Sequence, residues 1–545
     1  MSTNITTTQT NENAPIKAFR KASDRHVLVI ETKTSEHNKK RIKHDSELLR
    51  KVGNELTTIM QNNYTQLTRT HKYQKLRTLY ATATNKNDNT TRKKIGNQMK
   101  QMQKEYNLTW DYCRKTMITI SKKYNLGSII TLTKAENIWT SVKKCLYSNG
   151  KHLHFQKYGE YPTLRAKQIN RGIIIITDGK KLQVKYNNMI LDLKPIDRFQ
   201  TDEIEAIINY LLHAEEIDKQ AINTLLTNGE CISTYRPCYV TLVPQVIRND
   251  FRVFAHITIE GKAKPKYDKN GNLRHSYGNG IIGCDIGTQT IAYTSDTEVG
   301  LKNLAERGSS ITKRERQERK ILRAMDRSRR AMNPEYYNED GTIKKGKKHW
   351  KKSNNYKKLQ RKHAELCRIN AINRKLAINE DVNHLRSLGD EFVTEPKNAS
   401  KLARRAKPIG VVRADGSVVM VCRKRFGRSV QNRCPGYFQA QVMKVFKCTG
   451  GSYFEVPFSF RASQYDHTLD DYVKKKLSVR VFCLGDGTLV QRDWYSSFLL
   501  YCYDYATGLI DKARCKARFG DLFLLEERMI RVIRRSGTRV MNSGL

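Results

Sequence analysis

Twelve cysteines are scattered through the 545 residues, yet no two stand in a Cys-x-x-Cys pair. A zinc ribbon or a thioredoxin-like motif is therefore not directly legible. The scatter suits free thiols in a reducing compartment, most of them small core residues. Long apolar runs are missing too, and no stretch approaches the roughly 18 residues of a membrane span. Met1 to Asn13 is polar, without an apolar segment of signal-peptide type. The chain is expected to be soluble and cytoplasmic, with no membrane partner. Acid is also scarce. Asp plus Glu number 53 against 100 Lys plus Arg, a formal net charge of +47. Such a surplus repels itself unless a polyanion neutralises it, and nucleic acid, bound with counterion release, is the obvious one. No helix-turn-helix or zinc-finger signature is present to read bases directly.

The length allows two to four domains. Residues 1–25 are polar and expected to be poorly ordered. Residues 26–280 read as a small β-barrel or sheet interrupted by helices. Strand character stands at 25–32, 172–178, 182–186, 189–193, 238–244 and 251–260. Within it, 35–150 reads as a mostly helical module, because Leu48, Leu49, Val52, Leu56, Ile59 and Met60 recur at three- and four-residue steps. A polar stretch, 82–104, separates that face from a second at 106–124. Residues 281–510 read as an α/β domain, and 511–545 as a basic tail.

The chain is organised around 281–296. Two short apolar runs, 280–286 and 290–294, flank Gly287 and predict a tight hairpin. Asp285 stands near the end of the first, inside apolar sequence, where an acid is costly unless something pairs with it. A divalent cation is one such partner; a turn aspartate capping local amides is the bland alternative. Two further acids occupy similar places. Glu395 ends a short strand that Pro396 stops, and Asp493 opens an apolar helix expected to run to 510. Three convergent carboxylates can bind two Mg²⁺ ions that activate water and stabilise the leaving oxygen of a phosphodiester; three structural caps are the rival.

Between the first two acids lies a basic antiparallel helical hairpin, about 312–388. Its first helix places nine basic residues in eighteen positions: Lys313, Arg314, Arg316, Arg319, Lys320, Arg323, Arg327, Arg329 and Arg330. A solvated face is the usual meaning of such charge; the whole-chain surplus favours nucleic-acid contact. The second helix carries an expected apolar face through Leu359, His363, Leu366, Ile369, Ile372, Leu376 and Ile378. Residues 408–422 predict an inserted hairpin turning at Asp415 and Gly416.

The stretch Ile282-Gly-Cys-Asp285-Ile-Gly-Thr-Gln-Thr290-Ile-Ala resembles the first RuvC motif of the TnpB nucleases and of the compact type V CRISPR effectors. Phe392-Val-Thr-Glu395 is similar to the second motif. Gln491-Arg492-Asp493, with the helix behind it, resembles the third. Three motifs in order, with a basic hairpin between the first two, carry the resemblance. It implies a multidomain α/β protein: an RNase H-like (RuvC) nuclease domain after an N-terminal wedge β-barrel with an inserted helical recognition lobe. It implies a Mg²⁺-dependent RNA-guided DNA endonuclease. Asp285, Glu395 and Asp493 would hold two Mg²⁺ ions, and the basic helices and Arg492 would contact nucleic acid. Its partners would be a guide RNA and a target DNA duplex with a short flanking motif, in a prokaryotic or mobile-element host. One departure is plain. Where that family carries two Cys-x-x-Cys pairs, this chain has Asp466 with Leu469 and Cys483 with Asp486, a degenerate ribbon at about 461–492. No zinc is expected. A nuclease-dead RNA-guided repressor and an RNA-independent junction nuclease or transposase remain alternatives.

Overall fold

The computed structural model describes residues 19–20, 23–147, 150, 152–166, 171–307, 311–403, 409–412, 418–421, 427–476 and 478–545. They form two compact units, divided between Asn270 and Gly271. Most of the N-terminal stretch expected to be poorly ordered lies outside the described residues. Among those described, no helix is long and apolar enough to cross a membrane.

In the first unit, strand β1 (Arg25–Lys33) leads into helices α1 (Glu36–Arg69), α2 (His71–Asn85), α3 (Asn89–Glu105), α4 (Trp110–Lys123) and α5 (Ser128–Tyr147). The Ser35 side chain accepts from the Asn38 amide and so caps α1. Ile42, Leu49, Val52, Leu56, Met60 and Leu67 follow at helical spacing and are all buried. The polar stretch expected to separate two apolar faces is itself largely helix. Ile95, Met99 and Met102 recur on one side of α3 and bury there.

Strands β2 (Leu164–Arg165), β3 (Ile173–Thr177), β4 (Leu182–Tyr186) and β5 (Met189–Lys194) follow, then α6 (Arg198–Leu212), α7 (Ala214–Asn228), β6 (Pro237–Ile247) and β7 (Asp250–Glu260). The seven strands make one antiparallel sheet in the order β2-β6-β7-β1-β5-β4-β3. Edge strand β3 lies beside β6, so the sheet nearly closes into a barrel. Alternate residues fill it, among them Leu28, Ile30, Val184, Leu191, Val253, Ala255 and Ile257.

The second unit begins with an antiparallel meander, β8 (Ile281–Ile286), β9 (Thr290–Thr294) and β10 (Val299–Asn303). At the β8–β9 turn the Gly287 amide donates to Thr290 O at 2.8 Å. A Cβ there would sit 3.0 Å from that oxygen, which is why the turn suits glycine. Helices α8 (Ile311–Met332) and α9 (Asn354–Leu388) pack together as a hairpin. Strand β11 (Glu391–Thr394) then returns parallel to β8. After α10 (Ala399–Ala403) come β12 (Ile409–Val412) and β13 (Val418–Val421), which pair antiparallel; the expected turn at Asp415 and Gly416 lies outside the described residues. Helices α11 (Gly427–Arg433) and α12 (Pro435–Cys448) precede β14 (Ser452–Glu455), parallel to β11. The sheet order is β10-β9-β8-β11-β14.

Two short ladders follow, β15 (Tyr465–Asp466) with β16 (Asp471–Tyr472), and β17 (Val481–Cys483) with β18 (Leu489–Gln491). Helix α13 (Arg492–Tyr501) ends well before 510, because 503–510 turns back as a two-stranded ladder. The basic C-terminal segment is not left loose. It contains α14 (Lys512–Ser536), which buries Cys515, Leu522 and Glu526 and packs against β10.

The sheet has helices on both faces. Ile282, Cys284 and Ile286 of β8 pack with Ile378, Val382 and Leu385 of α9 and with Phe438, Val442 and Phe446 of α12. Val393 of β11 faces Trp494, Phe498 and Leu499 of α13 on the other side. Of α9, only the C-terminal third is in this core. Ile369, Ile372 and Leu376 are exposed, although α8 packs against the same helix.

Gly283 lies between Ile282 and Cys284, so it faces α13. A Cβ on it would run into Ser497 O and the Tyr501 amide of that helix. Gly283→Val should therefore lower unfolding stability by about 3 kcal/mol, measured by thermal or denaturant unfolding. Unchanged stability would mean that the helix does not lie on the strand here.

Candidate active site and basic face

Alternation along the strands decides where the acids point. In β8, Gly283 faces α13, so Asp285, two residues on, faces the same side. In β11, Val393 faces α13, and Glu395, just past the strand end, continues that side. Thr394 is opposite Cys284 in the parallel register, and its hydroxyl donates to Cys284 O at 2.8 Å, which holds the two strand ends level. Asp493 lies in the first turn of α13 itself. Gln491 caps that helix by accepting from the Trp494 amide at 2.7 Å, while its amide side chain donates to Ser543 O at 3.2 Å. The three acids therefore meet at one end of the sheet, on the α13 side.

Their electrostatics show the crowding. Burial pushes the Glu395 carboxyl up, and the Asp285 charge pushes it further, against Lys397, the Ala462 amide and Arg492. Burial and Asp285 likewise raise Asp493, to about 6, against Arg480, Gln491 and Arg492. One cation answers this surplus directly. Lys397 Nζ donates to Asp285 Oδ1 at 2.7 Å and also to Ile286 O. Burial works to lower the Lys397 ammonium, but Asp285 and Glu395 hold it above its usual value. Lys397 is bonded to Asp285 while Arg480 and Arg492 act on Asp493, yet burial and the Asp285 charge still hold the Glu395 and Asp493 carboxyls above their ordinary values. The donor set fits a hard divalent cation, which takes carboxylate oxygens and removes the repulsion. No local pattern singles out Lys397 in the sequence. Its one signal is the Glu-Pro-Lys triplet, which carries little weight in a chain with 100 basic residues.

A second buried acid supports the site from behind. Glu526 of α14 accepts from the Gln491 amide, and burial raises its carboxyl to about 7. It thus reaches the residue that caps the helix bearing Asp493.

The basic residues divide by exposure. Arg316, Arg319, Lys320, Arg323, Arg327 and Arg330 are exposed along α8, and Lys313 is exposed at its start. Arg314 is buried and donates to Ala305 O at 3.3 Å. Arg329 is half-buried, bonded to Asp326 and to the Tyr337 hydroxyl and lying 5.0 Å from the Trp350 ring centroid. Arg492 is buried and donates to Lys476 O at 3.1 Å. These three guanidiniums bond the chain's own groups, because their stems lie in packed surroundings where an unpaired charge is costly.

In the segment expected to be a degenerate ribbon, buried Asp466 links the two ladders by hydrogen bonds. Its Oδ1 accepts from the Thr468 amide and hydroxyl at 3.0 and 2.7 Å, and its Oδ2 from the Gly485 amide at 3.1 Å. Leu469 lies so close to Gly485 that a Cβ there would overlap it.

No known family model matches the chain, and no curated protein does. Among solved structures it is similar to a Cas12i1 R-loop complex before target DNA cleavage, at 11% identity and a TM-score of 0.26, over 78% of this chain and 57% of that one. The Cas12i1 R-loop complex after cleavage gives 10% identity and 0.24, over 78% and 56%. A Cas12i complex with crRNA and double-stranded DNA gives 12% and 0.23, over 78% and 56%. The chain thus spans little more than half the length of these proteins. Superposition this loose fixes no chemistry, which rests on the residues themselves.

The raised Asp493 carboxyl has a thermodynamic consequence. It holds its proton more tightly in the folded protein than in the unfolded chain, so above about pH 6 its charge costs stability. That cost fades as pH falls from 6 toward the ordinary carboxylate range. In metal-free protein, Asp493→Asn should therefore be stabilising at pH 8, on the order of 2 kcal/mol. The gain should shrink toward zero near pH 4. Thermal melts of both proteins across that range measure it; a gain that grows on acidification would contradict the assignment.

Proposed function

We propose that the chain is an RNA-guided DNA endonuclease with a single two-metal carboxylate site. The observation that carries the reading is the convergence of Asp285, Glu395 and Asp493, from β8, the end of β11 and the start of α13, where burial and the Asp285 charge raise the other two carboxyls. A mixed sheet with helices on both faces and acids at its strand ends supports an RNase H-like domain. The motif resemblance and the +47 surplus support nucleic acid as the substrate class. Divalent ions bound there supply activated water and stabilise the leaving oxygen of a phosphodiester. The chain's own part is positional. Asp285 is held on a strand locked in the sheet, Glu395 follows in register, and Asp493 is set by a capped helix. Lys397 supplies fixed positive charge beside Asp285. The exposed arginines of α8 would neutralise backbone phosphates without reading bases, so sequence recognition falls to a guide RNA.

Asp285→Ala, Glu395→Ala and Asp493→Ala should each slow cleavage in Mg²⁺ about a thousandfold or more. Guided DNA binding should survive, because phosphate contacts elsewhere carry affinity. Full cutting by any of the three removes that residue from the site. Protein stripped of nucleic acid at high salt should cut a defined duplex only when its co-purifying RNA is restored. Cutting of one sequence without RNA would replace this reading with a junction nuclease or transposase. A guided DNA-binding protein that does not cut is the second reading. It is favoured by the Lys397 ammonium lying on Asp285 where a metal would bind, and its signature is RNA-dependent binding with no cleavage by the wild type.

A further inference from the structure

The α8–α9 hairpin carries a second cluster, built from different chemistry. Glu318 projects from α8, while His363 and Cys367 project from one side of α9, four residues and about one turn apart. The candidate ligand atoms all lie within 4.8 Å of one another. His363 Nε2 is 3.4 Å from Glu318 Oε1 and 3.6 Å from Cys367 Sγ. The first distance exceeds the roughly 3.0 Å of an ordinary N–H···O bond. Both match the edges of a coordination tetrahedron. With zinc bonds of about 2.05 Å to nitrogen, 2.1 Å to oxygen and 2.3 Å to sulfur, tetrahedral angles put N and O about 3.4 Å apart and N and S about 3.6 Å apart.

We propose that Glu318, His363 and Cys367 form a three-ligand zinc site that clamps α8 to α9, with water as the fourth ligand. The mixed imidazole, thiolate and carboxylate set selects a borderline-soft ion over magnesium or calcium. On binding, the Cys367 thiol gives up its proton, and zinc with one thiolate and one carboxylate is neutral, so the loaded site carries no net positive charge on a basic hairpin. The clamp would also join the two helices away from the buried C-terminal third of α9, where Ile369, Ile372 and Leu376 are exposed. The absent Cys-x-x-Cys pairs bear on the ribbon at 461–492 and not on this cluster, whose ligands lie 45 residues apart in sequence on two helices.

The test is a Co²⁺ titration of the full chain, purified without chelating resin and stripped with EDTA. Wild type should take up one Co²⁺ with a thiolate-to-cobalt charge-transfer band in the near ultraviolet, and Zn²⁺ should displace it. Co²⁺ at the Asp285 site or on residual RNA gives no thiolate band. Cys367→Ser should abolish the band, and His363→Gln should weaken binding at least tenfold. Cys483→Ser should leave the band unchanged. Cys367 is exposed, so metal-free Cys367→Ser should melt with metal-free wild type, which keeps the comparison interpretable. No band in wild type, or a band that survives Cys367→Ser, overturns the proposal.

Discussion

Helix α13 lies backbone-to-backbone on strand β8 because residue 283 has no side chain to hold it off. The geometry of the site depends on that close approach. Asp493 rides on the first turn of the helix, and Asp285 stands two residues from the contact on the same face of the strand. A buried hydrogen bond from β9 to the same helix, Thr294 Oγ1 to Ser497 Oγ at 2.8 Å, secures the contact from the neighbouring strand. Parallel pairing of β11 with β8 then brings Glu395 level. Three chain segments separated by roughly a hundred residues thus deliver carboxylates to one place through ordinary strand alternation and one glycine.

Folding alone has no use for this arrangement. Glu395 and Asp493 are partly buried beside a third carboxylate, and their raised carboxyls record the cost. Lys397 relieves part of it. Regions where a fold holds charges it would be more stable without are where function is found, because the strain is released only by a ligand. A divalent cation is the simplest one these groups describe. The buried Glu526 behind Gln491 extends the same logic one layer outward, since it presses an acid against the cap of the helix that carries Asp493.

The sequence shows much of this layout, for identifiable reasons. Asp285 is conspicuous as an acid in a β-branched run, and Pro396 marks the strand end at Glu395. The antiparallel sheet of the first unit follows from clear alternation and turn residues. What stays hidden is equally physical. Lys397 is one lysine among many, and its function depends on a contact no local pattern announces. The helix α3 is masked by its polar residues, with Ile95, Met99, Met102 and the polar Gln103 facing inward. The apolar positions of α9 suggest a buried helix along their whole length, yet burial needs a partner and the core reaches only its last third. Arg314, Arg329 and Arg492 look like their exposed neighbours in sequence, and only tertiary packing turns them inward.

If the three acids bind divalent metal as one site, anomalous diffraction from crystals soaked in Mn²⁺ should show peaks among the carboxylates of Asp285, Glu395 and Asp493, with the Lys397 amine displaced from Asp285. A map without a peak there, with Lys397 still bonded to Asp285, would mean that the acids do not form a metal site.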